Sequence, residues 1–378
     1  MNNPYSRGSE WRKWDLQVQT ILDDNYVSLD QYWTTIKSNN PAAWETYVAK
    51  VGGEDKALLY DSKAYFTDHA ITKDERCLNY VRNFLAYIES FDPALECIGI
   101  TDHNYFDDHL LDAFIGYSWK SHCKIIPGVE VNCTGIHMII LFPNILYGKD
   151  TFSEGIQAFL IKFNINTRTT AGVLTTTTSD IKKIIDEVNK NDGIVIYPHC
   201  NSDNGLFQER TKTDRTHLAD IYNYQKINLL QSQNKQSCEA VADYIKTNTN
   251  LRSRFCFHIG SDSRSLKDVG KPDKDGNYLW IKADPTFNGL KQIICEPEER
   301  VYVGRSISKS KNDANVIDKV VIKNSNRWFE EEPILLNENL VTIIGEKGAG
   351  KTALADMIAL AAGDFDIETA NESGSFVT

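Results

Sequence analysis

Five short apolar runs in this chain each meet a histidine or a carboxylate, and that recurrence restricts the fold more than any other feature. CIGIT leads into Asp102 and His103, KIIPGVEV carries Glu130, and MIILF begins just after His137. IVIYPH stops at His199, and FCFHIG leads into Ser261, Asp262 and Ser263. Apolar runs of this length read as buried strands. Helical periodicity lies between them: Val81, Phe84, Leu85 and Ile88 share one face of YVRNFLAYIESF, and Ile181, Ile184, Ile185 and Val188 share one face of IKKIIDEVNK. Ser179 and Asp180 are natural N-caps for the second of these helices, and Asn191-Asp192-Gly193 is its stop signal. Strands alternating with helices, with polar residues gathered at strand ends, predict an α/β fold of the (β/α) barrel kind with its site at the carboxyl ends.

Composition narrows the partners. Lys plus Arg number 41 against 52 Asp plus Glu, a net charge of -11, so any grip on nucleic acid must come from a local basic patch. No apolar run is long enough for a membrane helix, and the start, MNNPYSRGSEWRKWD, lacks the layout of a secretion signal, which together predict a cytoplasmic protein. The 8 cysteines contain no CxxC pair and read as reduced thiols.

Residues 21 to 76 fit the strand and helix rhythm poorly and read as a long insertion near the first strand, with PAAWETYVAK before Gly52-Gly53 as a short helix. From Arg300 to Arg327 the chain turns basic, and VGRSISKSKNDAN within that stretch reads as a surface connection. The domain boundary is placed near Gly304, dividing 1–304 from 305–378.

The ordered set WDLQVQT (14–20), ITDHN (100–104), PGVEVN (127–132), His137, YPHCN (197–201) and GSDSR (260–264) resembles the PHP (polymerase and histidinol phosphatase) family of metal-dependent phosphoesterases. GSEWRKWD and WIKADPTFNGLKQIICEPEERV are similar to the TrlF-type members, in which a PHP domain precedes an ATPase. The resemblance implies a distorted (β/α)7 barrel over about the first 300 residues and a divalent metal centre of Mn, Zn or Fe. It implies that His103 and His137 share one metal, that Glu130 bridges two, and that His199 and Asp262 hold the others. Imidazole and carboxylate suit such ions, which bind a phosphate ester and supply hydroxide near neutral pH.

Three expected ligands are replaced. The family's first strand carries His-x-His, where this chain has Gln17 and Gln19, and its final Asp-x-His reads Asp262-Ser263-Arg264 here. A neutral amide oxygen is a poor substitute for imidazole, and a guanidinium cannot bind a metal, although Arg264 can pair with a phosphate. Two explanations stand: natural reduction to a one-metal or metal-free fold, or glutamines placed to silence catalysis. Arg264 favours natural change. His69, His109, His122, His217 and His258 match no motif and read as ordinary structural histidines. Asp102 either orients the His103 ring or ends its strand, and Trp11 and Trp14 read as packing residues.

Residues 345–352, GEKGAGKT, match the phosphate-loop pattern G-x-x-x-x-G-K-[ST], with LVTIIG before them as an expected strand and ALADMIALAAG after them as an expected helix. Gly345, Gly348 and Gly350 let backbone N–H groups meet phosphates, Lys351 reaches the terminal phosphates, and Thr352 offers its hydroxyl to the Mg of bound Mg-ATP. This stretch resembles the start of an ABC or SMC-type ATPase head. No signature motif or acidic strand follows, so the expectation is an incomplete head, a fragment or a part completed by another chain, or a homo-oligomer joined through its heads. The polar end, FDIETANESGSFVT, is expected to fray.

The leading expectation is a PHP-type phosphoesterase or nuclease coupled to an ABC-type ATP-binding domain, acting on nucleic acid or nucleotides, with a phage-defence role by analogy. The alternative is a catalytically degenerate PHP scaffold that binds partners or nucleic acid for an ATPase. A small-molecule phosphatase is a third.

Overall fold

The computed structural model describes residues 7–92, 95–105, 107–143, 152–165, 169–170, 173–208, 215–307, 315–323 and 328–363. The chain divides into two compact units, one of residues 11–307 and one of 1–10 with 308–378. Of the basic stretch 300–327, residues 308–314 and 324–327 lie outside the described residues, as does the polar end expected to fray.

The larger unit begins with β1 (Trp11–Val18), the short helices α1 (Trp33–Asn39), α2 (Pro41–Val51), α3 (Glu54–Tyr60) and α4 (Lys63–Phe66), and the long α5 (Lys73–Phe91). There follow β2 (Leu95–Ile100), α6 (Asp108–Ser118), β3 (Lys124–Cys133), β4 (Ile136–Leu141), α7 (Phe152–Lys162), and the two-residue strands β5 (Thr169–Thr170), β6 (Val173–Leu174) and β7 (Thr176–Thr177). The unit continues with α8 (Ile181–Lys190), β8 (Ile194–Tyr197), α9 (Arg215–Tyr222), β9 (Ile227–Ser232), α10 (Lys235–Thr247) and β10 (Arg254–Ile259). It closes with β11 (Tyr278–Lys282), α11 (Phe287–Cys295), α12 (Pro297–Arg300) and β12 (Val301–Gly304).

The main sheet runs β10-β9-β8-β4-β3-β2-β1-β11-β12, with β7 added beside β3. From β10 to β1 the neighbours are parallel except around β4, which is antiparallel to both β3 and β8. Past the end of β1, Val18 bridges Ser263 and the Gln19 N–H donates to the Ser263 carbonyl at 3.1 Å, so the sheet curls into a nearly closed barrel. The reversal of β4 matters for function. His137, near its start, pairs with Asn132 near the end of β3, so this histidine reaches the rim where the parallel strands have their carboxyl ends.

Residues two apart on a strand share a face. His137 therefore stands in line with Ile139 and Leu141, and Gln231 with Leu229. Ile139, Leu141, Ile194, Ile196 and Leu229 join Trp14, Leu16, Cys97 and Ile126 in one buried cluster, so the same faces carry apolar residues deeper and polar ones at the rim. Outside, Phe159, Ile184 and Val188 pack with Val129 and Met138, and Phe84 and Phe114 pack with Ile98. The stop after α8 differs in detail from the sequence reading. Asp192, not Gly193, takes the left-handed backbone (φ 63°), whereas a Cβ on Gly193 would meet Val188 Cγ1 at 2.7 Å, so the glycine serves close approach. All 8 cysteines are thiols outside any disulfide, and Cys295 alone of them is exposed. Among the described residues no helix is long and apolar enough to cross a membrane.

The insertion is helical and carries a titratable core group. Asp61, fully buried after α3, accepts from the Tyr26 hydroxyl at 2.6 Å and the Leu29 N–H at 2.7 Å. Burial pushes its carboxyl up to about 7, against the lowering effect of those two donors. The folded state then holds a proton that the unfolded chain releases near pH 4, so stability is lost as pH rises from about 4 to about 7, by up to a few kcal/mol. Asp61→Asn should flatten this part of the profile in urea denaturation followed between pH 5 and 8. Parallel profiles for the two proteins would contradict the assignment.

In the smaller unit, β13 (Lys319–Val320) pairs with β14 (Ile334–Leu335), and α13 (Lys351–Ala362) follows the glycine-rich loop. Arg7 pairs with Asp318 at 2.7 Å, and the Asn337 amide donates to the carbonyls of Arg7 and Ser9. The strand expected over LVTIIG is not formed. Leu340, Val341 and Ile344 are 78%, 45% and 85% exposed, and among the described residues no strand pairs with 340–345.

Candidate metal centre

The carboxyl ends of β2, β3, β8 and β10 and the start of β4 build the polar rim. His103 follows β2 and forms a parallel bridge with Glu130 of β3, fixed by the Glu130 N–H donating to the Asp102 carbonyl at 3.1 Å and the Asn104 N–H to the Glu130 carbonyl at 2.7 Å. Asn104, His199 and Asp262 adopt φ of 51°, 33° and 47°, backbone that side-chain-bearing residues seldom take. Each costs on the order of 1–3 kcal/mol, and such strain gathers at functional sites.

The carboxylate of Glu130, 1% exposed, is the hub. Its Oε1 lies 2.8 Å from His137 Nδ1, 3.4 Å from His103 Nε2 and 3.5 Å from His199 Nε2. Two ligands each about 2.1 Å from a tetrahedral ion stand about 3.4 Å apart, so the His103 and His199 spacings suit a shared cation, while His137 Nδ1 stands at hydrogen-bond distance. Among the described residues, His103, Glu130 and His137 form a group whose ligand atoms all lie within 4.8 Å of one another. The behaviour of nearby polar atoms agrees. Among the described residues, His137 Nε2, His199 Nδ1 and both amide atoms of the fully buried Gln19 have no hydrogen-bond partner. Buried polar groups are costly when unpaired, and a bound ion with its water would satisfy groups of this kind.

His103 is oriented by Asp23, whose Oδ2 lies 2.9 Å from Nδ1 and leaves Nε2 facing Glu130. A carboxylate behind the imidazole is the usual way a ligand histidine is fixed in tautomer and angle. Burial alone lowers the basicity of His103, but Glu130 and Asp23 overcome it and raise the imidazole to about 10. Burial opposes the charge on Glu130 too, yet the surrounding histidines hold it well below the usual carboxylate range. Asp102 does not orient the ring: it accepts from Thr20 N and Thr20 Oγ1, both at 2.8 Å, and ties the end of β1 to β2.

The remaining expected residues divide. Asp262 faces Arg264 Nη2 at 3.8 Å, both side chains being partly exposed, and burial followed by Glu130 raises its carboxyl. Gln17 donates to Glu130 Oε2 at 2.8 Å and accepts from Gln231, a residue that sequence reasoning missed along with Asp23. The five motif-free histidines take no part in the cluster. His109 pairs with Asp74, and His258 is buried with Nδ1 on its neighbour's carbonyl. Trp14 is buried in the core, and Trp11 packs edge-on against Tyr302.

In the smaller unit, Gly348 and Gly350 both take φ of 86°, and Lys351 Nζ donates to the carbonyls of Gly345 at 2.9 Å and Glu346 at 2.8 Å. Thr352 lies in the first turn of α13 and is exposed.

No family profile matches the chain, and no curated protein matches it. Solved structures resemble it at low identity. One, a two-domain protein from Bacteroides vulgatus containing a predicted PHP-like metal-dependent phosphoesterase, is 13% identical with a TM-score of 0.39, over 78% of this chain and 65% of that one. This chain thus spans less than two thirds of that protein. Another, an amidohydrolase from Chromobacterium violaceum with bound sulfate and no metal, is 11% identical with a TM-score of 0.37, over 78% of this chain and 98% of that one.

Proposed function

We propose that the barrel is a divalent-metal-dependent phosphoester hydrolase of the PHP type. The observation that supports it is the convergence of His103, His137 and His199, from three separate strand ends, on one oxygen of the buried Glu130. His103, Glu130 and His137 would hold the ion, which when bound supplies a hydroxide near neutral pH and polarises a phosphoryl oxygen. Asp23 keeps His103 turned towards Glu130. Arg264, partly exposed beside Asp262, would pair with a phosphate oxygen of the substrate. Nucleic acid or a nucleotide is the proposed substrate, and the loop Gly345–Thr352 a site for ATP with Mg that couples to it. Equilibrium dialysis against Mg-ATP tests that second site, and no binding at about millimolar nucleotide would remove it.

The purified chain should cleave bis(p-nitrophenyl) phosphate or single-stranded nucleic acid when supplied with Mn, and lose that activity to EDTA. No turnover with Mn, Zn or Fe would shift the reading to a binding scaffold, which the neutral side chains of Gln17 and Gln19 favour.

A further inference from the structure

The two oxygens of Glu130 meet different surroundings. Oε1 faces the three imidazoles, whereas Oε2 accepts the Gln17 amide N–H at 2.8 Å. The Gln17 oxygen accepts in turn from the Gln231 amide, and all three side chains are buried, at 1%, 0% and 2% exposure for Glu130, Gln17 and Gln231. Space for the relay is provided by Gly260, where a Cβ would lie 2.7 Å from the amide carbon and oxygen of Gln231. A carboxylate only accepts hydrogen bonds, so the donor end of the Gln17 amide belongs against it, and the amide of Gln231 completes the chain in the same sense. A cation approaching Oε2 would meet the positive end of an N–H dipole. Turning Gln17 over would set its amide oxygen against Oε2, two acceptors facing one another with no proton between them.

We infer that the Gln231–Gln17 relay closes the second oxygen of Glu130 to metal, so that the site takes a single divalent ion on His103, Glu130 Oε1 and His137. Gln17 and Gln231 are then positioning residues that hold the carboxylate where a second cation would otherwise hold it. This rests on the metal-centre reading above and replaces the bridging role that the sequence resemblance implies for Glu130.

The test is metal stoichiometry of the full chain after equilibration with excess Mn and removal of the free ion, read by elemental analysis together with Mn(II) EPR. The wild type should hold one equivalent with an uncoupled, single-ion spectrum. Gln17→His, and Gln17→Glu with the same shape as glutamine, should each raise the content to two and give an exchange-coupled spectrum. Two equivalents in the wild type, or one in both folded variants, would overturn the inference while leaving the metal centre standing. No bound metal in the wild type would instead overturn the metal-centre reading itself. Because the wild-type count needs no substitution, misfolding of the variants cannot shield the inference.

Discussion

Glu130→Gln is expected to abolish hydrolysis, by about a thousandfold or more, and to strip the protein of its metal. The substitution keeps the shape of a side chain that is almost fully buried but removes the negative charge on which His103, His137 and His199 converge. An amide in that position offers one weak neutral oxygen in place of the carboxylate, and loss of a principal charged ligand costs a transition-metal site most of its affinity. Transition-state charge stabilisation by the ion goes with it, and several kcal/mol of barrier is a thousandfold or more in rate. Turnover with saturating Mn, measured with metal content and circular dichroism on the same sample, checks this. A folded variant that keeps its metal and stays within severalfold of wild-type activity would place the chemistry elsewhere.

The second large effect is on stability. Asp15, on β1 and 2% exposed, accepts from the N–H and hydroxyl of Ser261 and from the Gly270 N–H at 2.9 Å, joining β1 to the segment that carries Asp262 and Arg264. Burial raises this carboxyl and those donors restrain it. Asp15→Ala would take this acceptor from the N–H groups of Ser261, Gly270 and Gln17, while the Ser261 hydroxyl keeps the Gln17 carbonyl at 3.5 Å. Each buried unpaired group costs about 1–3 kcal/mol, so a loss of about 3–5 kcal/mol is expected after partial relaxation. Asp15→Asn, which keeps one acceptor oxygen, should lose less. Urea denaturation decides it: a loss under about 1 kcal/mol for Asp15→Ala would show that the segment is held by other contacts.

How much of this could be read from residues alone follows from what kind of signal each one leaves. A lone histidine at a strand end is most often a core residue, as His258 is, so His103, Glu130, His137 and His199 were legible through the ordered motif set that resembles the PHP family, and the three imidazoles lie within 3.5 Å of Glu130 Oε1. Asp23 left no such mark: it sits beyond β1 in the insertion, and its approach to His103 depends on the path of the chain between β1 and α1. Gln231 ends the apolar run of β9, and a neutral amide there looks like any satisfied core polar group until Gln17 is seen beside it. The alternation of strands and helices was readable from periodicity, while the reversal of β4 was not, because an apolar run carries no direction. LVTIIG shows the opposite failure. Its composition is that of a strand, but a strand is made by its neighbours, and no partner strand lies beside it among the described residues.

Anomalous diffraction at the manganese edge, on crystals of the wild-type chain grown with Mn, would locate the ion. A peak is expected within bonding distance, about 2.0–2.3 Å, of both a nitrogen of His103 and Oε1 of Glu130. Density for Mn at Asp262 with none at Glu130, or no anomalous peak at the barrel rim, would contradict it.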